Sequence, residues 1–221
     1  MNIKYNKKKE ELRRDPVMEF LEKTKEFIIA YSNTILTILV VGALVFAGFQ
    51  VFSYLKRNTL AKSQNDFGRA MIAYSENNTQ EAMQAFEQVI ENHKNTVHAA
   101  YSAFMLAQIY RVAEKYTDAI AMFNKAYANN KNSGFVKGES LEGLALCYEA
   151  TGETEKALEY FEKALHDKSI SYRYPAIRWK MALINKQLGN MEKATTFCNA
   201  IVSDTLAAEY KKKAENLLAA L

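Results

Sequence analysis

Proline and glycine are scarce, two and eight residues in a chain of 221, and Pro175 is the only proline beyond the N-terminal region. So few chain breakers, set among alanine and aromatic residues at helical spacing, point to an all-α fold. Cysteine is equally rare. Cys147 and Cys198 are too few, and too embedded in helical pattern, for a disulfide framework, and read as small core residues. The three histidines, His93, His98 and His166, have no metal-ligand company at usable spacing. A Gly-rich phosphate loop is absent, as is a nucleophile and base arrangement. Paired acids such as Glu153 and Glu155 sit at a helix start, where negative charge suits the dipole. No catalysis, metal, cofactor or small-molecule substrate is therefore expected. Charge of one sign is not in excess either: 29 basic and 25 acidic residues are interspersed, which excludes a nucleic-acid footprint.

What is present is a single uncharged run from Phe27 to Leu55. Its part from Ile35 to Leu55 spans roughly 30 Å at a rise of about 1.5 Å per residue, one hydrocarbon thickness. Thirteen of those 21 residues are Ile, Leu, Val or Phe, each favourable at mid-bilayer. Tyr31 and Tyr54 lie where aromatic rings prefer the headgroup level. A signal peptide fits poorly, because the run is too long and follows 26 residues rich in both charge signs. A core helix fits poorly too, because no face is left for water. The expectation is one transmembrane helix over 27–55. Eight basic residues precede it and four follow within a comparable distance (Lys56, Arg57, Lys62 and Arg69), which places the N-terminus in the cytoplasm and the C-terminal bulk outside.

The tail, 1–26, begins with a basic, polar stretch without apolar periodicity. Asp15 and Pro16 then signal a helix start. Val17, Phe20, Leu21, Thr24, Phe27 and Ile28 follow on one face. Such a helix either rests on the headgroups or docks onto a cytoplasmic partner.

Residues 56–221 repeat themselves. The segment at 100–127 aligns with that at 138–165, matching Leu106, Ala107, Tyr110, Ala119, Phe123 and Ala126 with Leu144, Ala145, Tyr148, Ala157, Phe161 and Ala164. Small side chains at the closest approach let two helices pack antiparallel, and the aromatics fill the remaining wedge. Gly152 suits a left-handed turn, and Thr117 and Thr154 are candidate caps for the second helices. Weaker copies flank these two. Ala70, Tyr74, Ala82, Phe86 and Val89 come before, with Met71 in place of a small residue. Met181, Ala182, Gly189, Ala194, Cys198 and Ile201 come after, with Asn185 in place of Tyr and Arg178 at an apolar position. A last helix after Asp204, with Leu206, Ala207, Tyr210, Ala214, Leu217 and Leu218 inward and Lys211 to Lys213 outward, reads as the cap a solenoid needs. The spacing resembles the tetratricopeptide repeat, a helix-turn-helix unit of 34 residues. The implied fold is an N-terminal transmembrane helix followed by a solenoid of about four repeats plus a capping helix.

In that family the first helix of each pair lines the inner surface. The resemblance thus implies a protein-binding face of Tyr101, Phe104, Gln108 and Arg111, of Glu139, Glu142, Leu146 and Glu149, and of Trp179, Leu183 and Lys186. Its mix of aromatics and both charge signs suits an extended peptide or a partner helix. Trp179, the only tryptophan, either carries binding energy there or packs against the third repeat or the cap.

The whole layout, including DPVMEFLEKTKEFI leading into the span, resembles the single-span, repeat-bearing ancillary subunits of the bacterial Sec protein-export translocon. That resemblance implies an inner-membrane protein whose periplasmic domain meets translocon subunits, exported chains or periplasmic chaperones. A scaffold that binds folded envelope or division proteins is the alternative. A reversed topology, with the repeats acting as a cytoplasmic receptor for chaperones or precursors, is another.

Overall fold

The computed structural model describes residues 16–129, 134–205 and 207–221. Contacts divide the chain into two units, Met1–Asn58 and Thr59–Leu221. In the first, α1 covers Pro16–Ala30. Pro16 fits the first helical position because its missing N–H would have no intrahelical acceptor. Its proposed cap, Asp15, and the basic stretch before it lie outside the described residues. Val17, Phe20, Leu21, Phe27 and Ile28 are all exposed, and Lys23 pairs with Glu19 at 2.9 Å on another face.

The uncharged run does not form one element starting at Phe27. It is divided at Tyr31, and α2 then runs unbroken from Ser32 to Ser75, 44 residues. Backbone bonds from Tyr31 N–H to Phe27 O (3.0 Å) and from Ile35 N–H to Tyr31 O (2.8 Å) carry the helical pattern across the junction. From Leu36 to Leu55 the large apolar side chains are exposed.

In the second unit the end of α2 is the first helix of a pair, completed by α3 (Thr79–Asn92). The next pairs are α4 (Val97–Val112) with α5 (Tyr116–Asn129), α6 (Gly134–Ala150) with α7 (Thr154–Leu165), and α8 (Tyr174–Gln187) with α9 (Met191–Val202). The second helices share one inward pattern: Ala82, Phe86, Val89; Ala119, Phe123, Ala126; Ala157, Phe161, Ala164; and Ala194, Cys198, Ile201, all fully buried. The repeat inferred from self-alignment is thus the packing unit, and the fold is the expected helical solenoid.

One turn geometry closes all four pairs. Asn77, Glu114, Gly152 and Gly189 have φ of 58°, 58°, 79° and 77°. The residue after each donates its N–H across the turn, to Ala73, Tyr110, Tyr148 and Asn185 carbonyls at 2.8–3.0 Å. Glycine is free to take this conformation, whereas a side chain there costs about 1–2 kcal/mol. Glu114→Gly is therefore expected to stabilise the protein by about 0.5–1 kcal/mol, read as a rise of a few degrees in its thermal midpoint. The expected threonine caps are not formed. Thr154 is the first residue of α7 and Thr117 lies inside α5; the flanking positions are Glu153 and Lys115, whose carbonyls accept the N–H of Ala157 and Ala119. The left-handed turns are shorter than threonine caps would require, so α7 starts one residue and α5 two residues earlier than expected.

A 3₁₀ segment, Lys168–Arg173, links the third and fourth pairs. Asp167 caps it through Ser169 N–H at 3.0 Å, and Ile170 is fully buried against Gly138. The array ends in α10 (Ala208–Leu218), which buries Ala214 and Leu217 and exposes Lys211 to Lys213. Leu206 lies outside the described residues. Arg178, out of place in the repeat pattern, has a partner: its Nη1 donates to Asp204 Oδ2 at 2.7 Å, tying the link before α10 to α8.

Candidate protein-interaction surface

The first helices of the pairs set the surface, because each is covered on one side by its own partner helix and on another by the next pair. On α4 the half-buried row is His98, Tyr101, Met105 and Gln108, continuing to exposed Val112 and, at the edge, Arg111. Gln108, Arg111 and Tyr101 therefore fall where the sequence placed them. Phe104 does not. It is 8% exposed, with its ring 6.0 Å from that of Phe123 in the core. The accessible row runs through 101, 105, 108 and 112, so Met105 occupies the surface assigned to Phe104 and Val112 extends it.

On α6, Leu146 and Glu149 are half-buried, but Glu142 is 5% exposed. Arg173 donates to both its oxygens, through Nε at 2.8 Å and Nη2 at 2.6 Å. Two further ties run alongside. Tyr172 hydroxyl donates to Glu139 Oε1 at 2.6 Å, and Lys180 Nζ lies 3.1 Å from both oxygens of Glu149. Burial, then the bond to Glu139, pushes the Tyr172 hydroxyl up to about 12. The acidic row on α6 thus joins the third pair to the fourth instead of presenting uncompensated charge. On α8, Trp179 and Leu183 pack against Ala182, Cys198, Ile201 and residues of α10, which is the packing alternative for the tryptophan; Lys186 is half-buried in the last turn.

Three depressions mark this surface. One, of about 830 Å³, lies between α2 and α4 and is lined by Phe67, Met71, Ile72, His98 and Tyr101. The Ser63 hydroxyl gives its proton to Leu60 O, so it accepts from His98 Nδ1 at 2.8 Å. Burial and then neighbouring His93, whose Nε2 lies 2.8 Å from Asp66, hold the His98 pKa below its ordinary value. The second depression, of about 740 Å³, is lined by Tyr74, Met105, Gln108, Arg111 and Val112. The third, of about 350 Å³, is lined by Arg111, Tyr116, Leu146, Glu149 and Lys180. Arg111 is common to the last two. Its Nε donates to Gln108 Oε1 at 3.0 Å, and among the described residues it forms no ion pair. Four of the sequence-assigned residues, Gln108, Arg111, Leu146 and Glu149, meet around these two adjoining depressions.

A family profile described as a tetratricopeptide repeat-like domain matches residues 25–178. The chain belongs to this family. Several solved structures share the fold at low identity. Aspartyl phosphate phosphatase F from Bacillus subtilis aligns at 21% identity and a TM-score of 0.56 over 70% of this chain and 41% of the phosphatase, so this protein spans about two-fifths of that one. MamA aligns at 18% and 0.54 over 70% and 81% of the two chains. YrrB, a tetratricopeptide protein with an unusual peptide-binding site, aligns at 18% and 0.51 over 67% and 76%. Comparison with curated proteins finds no match. A tetratricopeptide repeat domain is a protein-interaction module.

Proposed function

We propose that this chain is a membrane-anchored interaction module: the uncharged part of α2 crosses a bilayer once, the tail and α1 remain cytoplasmic, and the repeat unit receives polypeptide partners on the other side. The observation that carries this reading is the run from Leu36 to Leu55, whose large apolar side chains are all more than half exposed. Lipid accommodates such a surface and water does not. The excess of Lys and Arg before the run supports the orientation. At a finer level the protein is an accessory subunit of the Sec protein-export machinery, presenting its repeats to exported chains or periplasmic chaperones. The mixed-charge tail, single apolar helix and four-pair array support that assignment, and the tether supplies capture by raising local concentration. No reaction is assigned to it.

A photoreactive residue at Val112, 75% exposed, is expected to crosslink in living cells to channel subunits and secretory chains. Adducts confined to one or two folded envelope proteins would replace the export reading with a scaffold. Protease added to intact spheroplasts is expected to degrade the repeat unit; full protection would put the repeats in the cytoplasm and overturn the topology.

A further inference from the structure

The sequence suggests a ligand face of mixed charge, but the structure uses the acids of that face internally. Glu139, Glu142 and Glu149 are each engaged by Tyr172, Arg173 and Lys180. Arg111 is left on the inner face with a guanidinium oriented by Gln108 and, among the described residues, no carboxylate within ion-pairing distance, although Glu149 lines the same depression. The residues lining the two depressions carry no other uncompensated charge. On one side Met105, Val112 and Tyr74 line the larger depression, with Val112 75% and Tyr74 40% exposed. On the other, Glu149 is held by Lys180, so the smaller depression keeps the single positive charge of Arg111. A half-buried guanidinium favours a carboxylate, which it engages in a planar, two-pronged geometry. The neighbouring space, about 740 Å³, falls within the range of about 300–1,000 Å³ typical of ligand sites. The adaptable thioether of Met105 suits side chains of more than one shape.

We infer that the two depressions meeting at Arg111 form one subsite for a partner segment that carries an Asp or Glu side chain within a few residues of a large apolar side chain, the carboxylate on Arg111 and the apolar group against Tyr74, Met105 and Val112. This rests on the reading of the inner face as a polypeptide-binding surface, and it adds a selection rule: internal acidic and apolar segments are preferred over neutral or basic ones.

The test uses the full-length protein in detergent and fluorescein-labelled, C-terminally amidated peptides in which a central Leu-Phe is followed by Asp-Glu, by Asn-Gln or by Lys-Lys. Fluorescence anisotropy is expected to show the acidic peptide binding about tenfold tighter than its amide counterpart, as for one hydrogen-bonded charge pair, with the basic peptide weakest. The acidic preference is expected to vanish in Arg111→Gln and to persist in Arg111→Lys, while far-UV circular dichroism stays constant. Equal affinity of wild type for the acidic and amide peptides would overturn the subsite, as would retention of the preference in Arg111→Gln. Binding of the acidic sequence only in an unamidated version, with no binding of the amidated one, would overturn it too, by showing that chain ends are read. The peptide series needs no variant to fold. Crosslinking at Val112 reports separately on whether the face binds polypeptide at all, so selectivity can fail while the broader reading stands.

Discussion

Gly143→Val is expected to unfold most of the repeat unit at ordinary temperature, and Gly143→Ala to cost about 2 kcal/mol. A Cβ at position 143 would lie 2.4–2.7 Å from three carbons of the Phe123 ring, a side chain that is fully buried. Overpacking of this kind costs about 1–3 kcal/mol, and more where neither side can move. Phe123 cannot move, because Phe104 lies behind it with its ring centre 6.0 Å away. The alanine variant also gains about 1 kcal/mol of helix propensity, so the measured loss understates the clash. Gly68 supplies the control. It is interior to α2, nothing lies within 4 Å of a Cβ built there, and Gly68→Ala is expected to stabilise by about 0.5–1 kcal/mol. Urea unfolding of both variants checks the pair. Phe123→Leu placed in the Gly143→Ala background is expected to be less destabilising than in the native background.

Arg173→Ala is expected to cost about 2–3 kcal/mol, with the loss concentrated in the third and fourth pairs. Removing the guanidinium strands the Glu142 carboxylate, 6% exposed, without the partner that now reaches both its oxygens. Breaking a buried pair from one side costs about 3–5 kcal/mol; the 40% exposure of the Arg173 side chain moves the figure to the lower end or below. Replacing both members, Glu142→Leu with Arg173→Met, is expected to recover most of the loss, because two apolar groups leave no charge to desolvate. A double variant as unstable as the single one would show that the pair acts through packing of the 3₁₀ segment.

Much of the architecture was legible because small and aromatic residues recur on the second helix of each pair, where one face is buried and the other is wet. Ala119, Phe123 and Ala126 announce α5 in this way, and Ala157, Phe161 and Ala164 announce α7. The first helices gave less. On α4, residues from Ala99 to Ile109 are buried on most sides, so no polar stripe fixes the rotation and spacing does not decide between positions 104 and 105. The acids on α6 looked like ligand contacts because their partners, Tyr172, Arg173 and Lys180, lie 31 to 33 residues away, beyond any local pattern. Gly143 has no local signal of its role, since the ring it accommodates belongs to another pair. Nor did the end of the uncharged run at Leu55 mark an element boundary, because good helix formers continue across it to Ser75.

The two cysteines make a practical consequence available. Cys147 and Cys198 are buried in separate core clusters, and burial, opposed in part by Arg111, pushes the Cys147 thiol up to about 11. At neutral pH only about one molecule in ten thousand carries the reactive thiolate there. Thiol reagents therefore react slowly with both side chains in the folded domain. Single cysteines introduced on the surface can then be labelled with impermeant maleimides against a silent background, and labelling in intact cells against lysed ones tests the proposed topology position by position.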